Sequence, residues 1–308
     1  MAAHPGKRVS RRYVGNTSNL RWIPGSSPRL EIAPSFGVSE EPFIRRHIAM
    51  HILVCVKQVP EIEQLTIHAE ADGTVVLGAA SELRMNRFDE FAVEAAVGLK
   101  ETLPGVRIDA VSVGPEAALA VIKRAIGMGA DQGALLDSSD RSDPGPAEVA
   151  RRIARFAGQR QYDLIFTGAW SEDGMNGQVG PMTAALLDLP CATQVMALEL
   201  DADQRHVAVE REVEGGCRER LQLCLPALLA LQSGINRPRY PSLSNLLRAN
   251  RQPLAIVPDD AEAGNGDPVS CQGLMRPPRS RAGRPLEGTL EEKAAAFWAL
   301  LKERGLIR

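Results

Sequence analysis

The residues best placed to do chemistry in this chain lie in one loop. Gly168-Ala169-Trp170-Ser171-Glu172-Asp173-Gly174-Met175-Asn176-Gly177-Gln178-Val179-Gly180 follows an apolar strand pattern and runs into a helix. Its glycines let backbone N–H groups near the helix start converge on an anion such as a phosphate. Glycine-rich strand-to-helix connections also occur with no ligand, so spacing alone leaves both readings open. A second concentration is charged. Glu210, Arg211, Glu212, Glu214, Arg218, Glu219 and Arg220 crowd a ribbon within Val209 to Ala230. The ribbon alternates like two strands, with Val207, Val209, Arg211 and Val213 on one face and Leu221, Leu223 and Leu225 after the turn. Glu214-Gly215-Gly216 supplies residues that tolerate positive φ, so a hairpin is expected there. Its charge suits either a solvated face or a surface that meets another charged body.

Other chemistries find no residues. No Gly-x-Gly-x-x-Gly opens the first helix and no Gly-x-x-x-x-Gly-Lys-Ser/Thr occurs, which argues against a hydride-transferring dinucleotide enzyme and a P-loop ATPase. His51, His68 and His206 have no ligand partner at helical spacing and read as surface or structural groups. A Ser nucleophile elbow is absent. Cys55 lies in an apolar strand, where a thiol acts as a small hydrophobe. Cys55, Cys191, Cys217, Cys224 and Cys271 are odd in number and never spaced as a metal-binding pair, so a reducing compartment and no structural zinc are expected. The residues favour a binding protein without acid, base or nucleophile.

The elements that must position these loops are legible as an alternation. Short apolar runs at His51–Val59, Arg107–Gly114, Gln132–Asp137 and Tyr162–Gly168 suit central parallel strands. Between them, Phe88, Phe91, Ala92, Ala95, Ala96 and Leu99 make a helical stripe with Asn86 placed as its cap. Leu119, Ile122 and Ile126 make a second behind Pro115, ended by Gly127 and Gly129. Val149, Ile153 and Phe156 make a third, opened by Pro146 and closed by Gly158. A fourth, shorter helix is expected near Met182–Leu187. The fold class is therefore α/β, a doubly wound and mostly parallel sheet, extended by hairpin strands over Ala192–Gln232. Ligands in such a sheet bind beyond the carboxyl ends of its strands. After Gly234 a Pro-, Arg- and Asn-rich stretch reads as an extended arm. It ends in a helix over Leu290–Glu303, with Thr289 and Glu292 spaced as a capping box and Leu290, Ala294, Phe297 and Leu301 on one face. That face needs cover, from its own domain or from a partner.

The 308 residues carry 44% hydrophobic and 24% charged side chains and a formal net charge of -2, which gives no general drive toward nucleic acid or membrane. No apolar run approaches the ~20 residues of a spanning helix. Residues 1–49 hold Lys7, Arg8, Arg11, Arg12, Arg21 and Arg29 with no acid before Glu31, and show no sustained periodicity. They read as a disordered stretch, either an organelle leader or an extension ahead of the true start, with Met50 as the effective start of the fold.

Val209 to Ala230 resembles, in register, the beta subunit of electron transfer flavoprotein, through Arg211, Glu214-Gly215-Gly216, Glu219, Leu221 and Pro226-Ala227-Leu228-Leu229. The likeness continues in Leu53-Val54-Cys55-Val56-Lys57, Met85-Asn86-Arg87-Phe88-Asp89-Glu90, Gly127-Met128-Gly129-Ala130-Asp131 and Asn236-Arg237-Pro238-Arg239-Tyr240-Pro241-Ser242-Leu243. It covers about residues 50–258 strongly and the last helix loosely. The resemblance implies an adenine nucleotide alpha hydrolase-like sheet over 50–234. Residues 235–308 then form a recognition loop and an arm docking on an alpha subunit. It further implies a heterodimer whose alpha subunit holds the redox-active FAD, which this chain helps to hold. Flavin dehydrogenases would be the electron donors, and a membrane quinone oxidoreductase the acceptor. The chain itself would be an electron-carrier subunit of fatty acid or amino acid oxidation, not an enzyme. Its location would be cytoplasmic in a bacterium and the mitochondrial matrix in a eukaryote.

Carried over residue by residue, the resemblance implies a structural AMP, or a second FAD as in electron-bifurcating relatives. The site would use Cys55, Asn86, Arg87, Phe88, Asp89, Val113 and the loop residues Gly168, Ala169, Trp170, Ser171, Glu172, Asp173, Gly174, Met175, Asn176, Gly177, Gln178 and Val179. Backbone at Cys55 and Val113 would meet the adenine, and the loop the ribose and phosphate. Arg211 and Glu212 would lie at the subunit interface, with Glu212 facing an alpha-subunit arginine near the flavin, and Leu243 would plug into partner dehydrogenases. Three positions depart from the pattern: Arg87 stands for a proline, and Trp170 and Met175 for polar residues. Gly177-Gln178-Val179-Gly180-Pro181 is closer to the branch with bifurcating members. AMP is the first expectation and FAD the second. The alternatives are an adenine-nucleotide hydrolase or ligase, whose Ser-Gly-Gly-x-Asp-Ser loop would replace Lys57-Gln58-Val59-Pro60, and a stress-type nucleotide sensor.

Overall fold

Strand β1 (His51–Cys55) is apolar on both sides because helices cover both faces of the sheet it centres. Ile52 and Val54 enter a core with α1 (Arg87–Thr102) and α2 (Leu119–Met128), while Leu53 and Cys55 enter a second with α3 (Pro146–Gly158) and α4 (Val179–Leu186). Burying one such side chain favours folding by about 1.5–3 kcal/mol, an upper bound because a denatured chain is not fully extended. The structure, a computed structural model, describes residues 50–61, 63, 67–69, 75–77, 82–138, 144–258, 283 and 285–307. The expected leader over 1–49 lies outside them. The described residues fall into two units, the larger within Met1–Thr66 and Gly78–Ser270, the smaller within Ile67–Leu77 and Cys271–Arg308.

In the larger unit, β1 pairs in parallel with β6 (Arg107–Gly114), which is followed outward by β7 (Gln132–Asp137) and β13 (Ala255–Val257). On its other side β1 pairs in parallel with β8 (Leu164–Gly168). Then come β12 (Ala227–Leu231), β9 (Cys191–Leu200), β10 (His206–Val213) and β11 (Cys217–Cys224), giving the order β11-β10-β9-β12-β8-β1-β6-β7-β13. In this sheet β10 alone runs against the others, pairing antiparallel with β9 and with β11. The doubly wound, mostly parallel sheet is as expected.

Five local expectations are corrected. The apolar run His51–Val59 is not one strand: β1 stops at Cys55, and β2 (Gln58–Pro60) leaves the main sheet to pair with β5 (Leu83–Met85). The strand after the hairpin, β12, is no hairpin strand but inserts parallel between β8 and β9. Asn86 takes the N-cap position of α1 but makes no side-chain cap, since its amide is committed elsewhere. Gly127 does not end α2. It lets α5 (Leu243–Arg251) approach, because a Cβ there would sit 3.0 Å from Leu246 Cδ2 and 3.2 Å from Pro241 Cβ. The stretch after Gly234, read as extended, contains that helix and the edge strand β13. A single turn signal, the Ser242 side chain accepting from Asn245 N–H, starts α5.

In the smaller unit, β3 (Ile67–Ala69) pairs antiparallel with β4 (Val75–Leu77). Helix α6 (Leu290–Glu303) carries the expected capping box of Thr289 and Glu292, and none of its residues is buried.

Candidate functional site

The winding of the sheet reverses at β1. From β1 the chain builds outward through β6 and β7, then crosses by α3 to place β8 on the opposite side. The carboxyl ends of β1 and β8 thus flank a switch point, where α/β sheets form a ligand crevice. Cys55 ends β1 and Gly168 ends β8, while Val113 stands one residue short of the end of β6.

One carboxylate ties the two strand ends together. Asp89, buried in the first turn of α1, accepts from Lys57 N–H at 2.7 Å and from Gly168 N–H at 3.0 Å. Burial pushes this carboxyl up to about 7, against the pull of its bonds from Lys57, Asn86 and Gly168. Gly168 must be glycine, because a Cβ would fall on Asp89 Oδ1 and 2.6 Å from Phe88 Cβ. Cys55 is buried and its thiol is raised above the ordinary range by burial first and the Asp89 charge second, which disfavours the thiolate.

The loop 169–178 is built onto this junction. Asn86 donates to Trp170 O at 2.8 Å and accepts from Glu172 N–H at 3.1 Å. The Trp170 ring meets Phe88 edge-on, with centroids 5.8 Å apart. Ser171 N–H donates to Asn176 O and Gln178 N–H to Asn176 Oδ1, closing a small turn whose tip, Met175, has φ 46° and is 65% exposed. Gly177 backs onto Trp170, as a Cβ would lie 2.7 Å from its Cδ1.

The loop acids are already compensated. Lys57 Nζ sits 2.6 Å from Asp173 Oδ2, and this ammonium holds the Asp173 carboxyl below its ordinary range although burial opposes it. Glu172 takes Arg84 Nη1 at 2.9 Å, the Arg87 backbone N–H at 2.9 Å and Arg87 Nε at 3.7 Å. The departure at position 87 therefore has a partner: a proline there could not donate to Glu172. Arg84, which also pairs with Glu61 at 2.7 Å, escaped the sequence reading because it stands in a three-residue strand with no motif of its own.

The structure thus brings together Cys55, Asn86, Arg87, Phe88, Asp89 and the loop from Gly168, with Val179 opening α4 behind it. Arg211, Glu212 and Leu243 stand on other elements. Arg211 pairs with Glu219 at 2.8 Å across the hairpin, and Glu212, the next residue on β10, is exposed on the opposite face. Leu243 is the first residue of α5 and is 74% exposed.

A family model described as electron transfer flavoprotein domain matches residues 74–262, over half of the chain. The electron transfer flavoprotein subunit beta of Bacillus subtilis (strain 168) is 32% identical over 263 residues, covering 84% of this chain and 100% of that protein. The mouse protein of the same name is 36% identical and the human one 34%, each over 261 residues, covering 84% of this chain and 99% of theirs. This chain belongs to the electron transfer flavoprotein beta subunit family. Among the described residues, no helix is long and apolar enough to cross a membrane.

Proposed function

We propose that this chain is the beta subunit of a heterodimeric electron transfer flavoprotein. It would pack against an alpha subunit, accept electrons from flavin dehydrogenases and pass them to a membrane quinone oxidoreductase. The observation that carries the reading is the switch-point crevice with its loop cross-braced to α1, in a chain of this family. The FAD of the alpha subunit supplies the redox chemistry. This chain positions it and contributes no acid, base or nucleophile of its own.

The residues fit an adenine nucleotide. The acids Glu172 and Asp173 are neutralised by Arg84 and Lys57, so a phosphate near the loop meets no uncompensated carboxylate there. Thr167 Oγ1, buried against Gly180 in the first turn of α4, has no hydrogen-bond partner among the described residues. AMP is the nucleotide we assign, held by the Cys55 and Val113 backbone and by the loop from Gly168 to Val179. FAD is the second reading, favoured by Trp170 and Met175 in place of polar residues and by the sequence Gly177–Pro181.

On the hairpin, Glu210 pairs with Arg218 and Arg211 with Glu219, whereas Glu212 has no ion-pair partner among the described residues. We assign Glu212 to the interface near the alpha subunit's flavin, beside Arg211, and Leu243 to the docking of dehydrogenases. A single apolar anchor suits an encounter that must form and separate quickly. Co-expression with an alpha subunit is expected to give a yellow heterodimer, and denaturation to release one AMP and one FAD per dimer on chromatography. Two FAD would select the second reading, and a stable monomer that hydrolyses ATP would overturn the proposal.

A further inference from the structure

The segment that presents Leu243 is held by an arginine clamp. Arg239 donates from its backbone N–H to Glu94 Oε2 at 3.0 Å, and its guanidinium meets both Glu94 oxygens, with Nε to Oε2 at 2.9 Å and Nη2 to Oε1 at 2.9 Å. The same guanidinium reaches Glu101, Nη1 to Oε1 at 2.5 Å and Nη2 to Oε2 at 3.0 Å. Glu94 and Glu101 stand seven residues apart on one face of α1, so the planar fork spans two helical turns. Upstream, Asn236 Nδ2 donates to Phe91 O at 2.9 Å on the same helix. Downstream, Pro241 rests on Gly127 and Ser242 caps α5. The large hydrophobic side chains that this segment exposes are Tyr240, 89% exposed, and Leu243, directly after the Ser242 cap.

We propose that Arg239 is a positioning residue for partner docking: by bridging Glu94 and Glu101 it presents Tyr240 and Leu243 in one fixed arrangement before a dehydrogenase arrives. This rests on the reading of Leu243 as the docking anchor. A charge on the surface could instead serve by touching the partner, but the geometry turns the Arg239 fork inward onto α1. Ordering two side chains in advance lowers the cost of the encounter, and its loss is expected to weaken apparent affinity roughly tenfold.

The test uses the assembled heterodimer as substrate for one flavin dehydrogenase that reduces the wild type, with heterodimer concentration varied to separate KM from kcat. Arg239→Gln is expected to raise KM about tenfold, with kcat and bound-flavin absorbance unchanged. Glu101→Gln is expected to raise it less, and the double variant no more than Arg239→Gln alone, because both act through one contact. Arg239→Lys should fall between, since an ammonium cannot bridge both carboxylates as the fork does. Leu243→Ala, run beside them, tests the reading beneath. Raised KM in Leu243→Ala with wild-type KM in Arg239→Gln and Glu101→Gln overturns the clamp and leaves the docking reading standing. Wild-type KM in Leu243→Ala overturns both. Additive effects of Arg239→Gln and Glu101→Gln also overturn the clamp. Should Arg239→Gln fail to fold, Glu101→Gln, at a carboxylate 57% exposed, decides alone.

Discussion

The two charged regions of this molecule use charge in opposite ways. At the switch point Asp89 is buried and spends both oxygens on backbone amides, that of Lys57 just beyond β1 and that of Gly168 at the end of β8, while Glu172 ties the loop to α1 and Asp173 ties it to Lys57. On the hairpin, the pairs Glu210 with Arg218 and Glu199 with Arg220 lie at 3.8 and 3.6 Å between exposed side chains, where such pairs contribute about 0–1 kcal/mol each. Charge is architecture in the first region. In the second it lies on an exposed surface, the face we propose for another body. The contrast teaches that the density of charged residues along a sequence does not locate the charges that hold the fold.

The comparison is broken most directly at Asp89. Asp89→Ala leaves the Lys57 and Gly168 amides without their acceptor at a part-buried junction, at up to about 1–3 kcal/mol for each unsatisfied group. A loss of roughly 2–6 kcal/mol in urea unfolding is therefore expected, with the loop from Gly168 losing amide protection first. A loss below about 1 kcal/mol, within reach of an ordinary surface change, would mean that the strand ends do not depend on this carboxylate.

Titration of the same group sharpens the contrast. Burial raises the Asp89 carboxyl from 3.8 to about 7 in the folded chain. Between those values the folded chain keeps a proton that the unfolded chain has lost, so the stability Asp89 contributes is complete below about 4 and is lost as pH rises through 7. Wild type should lose ground against Asp89→Asn over that window, by at most about 1.4 kcal/mol per pH unit. Unfolding both proteins at several pH values between 4 and 8 checks it. The opposite slope would show that the amide hydrogen bonds outweigh burial.

Much of the frame was legible because it rests on period. The alternating apolar runs and the stripe Phe88, Phe91, Ala92, Ala95, Ala96 and Leu99, of which Ala92, Ala95, Ala96 and Leu99 pack in the core, depend only on neighbours a few residues apart, and the capping box at Thr289 is local too. Gly168 to Gly180 stood out as a loop for the same reason. What escaped was set by distant partners. Asn86 looks like a cap until the loop at Trp170 and Glu172, more than eighty residues away, claims its amide. Gly127 looks like a helix end until α5 leans on it, and Arg84 looks ordinary until Glu61 and Glu172 close on it. The departure at Arg87 was visible, but its consequence was not, since nothing in the sequence joins that amide to Glu172.

Glu212 gives the smallest expected effect and the most direct test of the second region. It is exposed, and Glu210 and Arg211 on β10 make ion pairs with β11 while Glu212 makes none among the described residues. Removing its charge takes away no hydrogen bond or ion pair found among the described residues, so Glu212→Gln should change the unfolding free energy of this chain by less than about 0.5 kcal/mol. If the hairpin is the open face of a heterodimer, the same change slows association with the alpha subunit at low salt and loses that effect as salt rises. A stability loss above 1 kcal/mol would place Glu212 with Asp89, among the charges that build the fold, and would dissolve the distinction between the two regions. Unaltered stability together with unaltered association would leave the hairpin an ordinary solvated edge, its charges serving only to keep β11 from pairing with another strand.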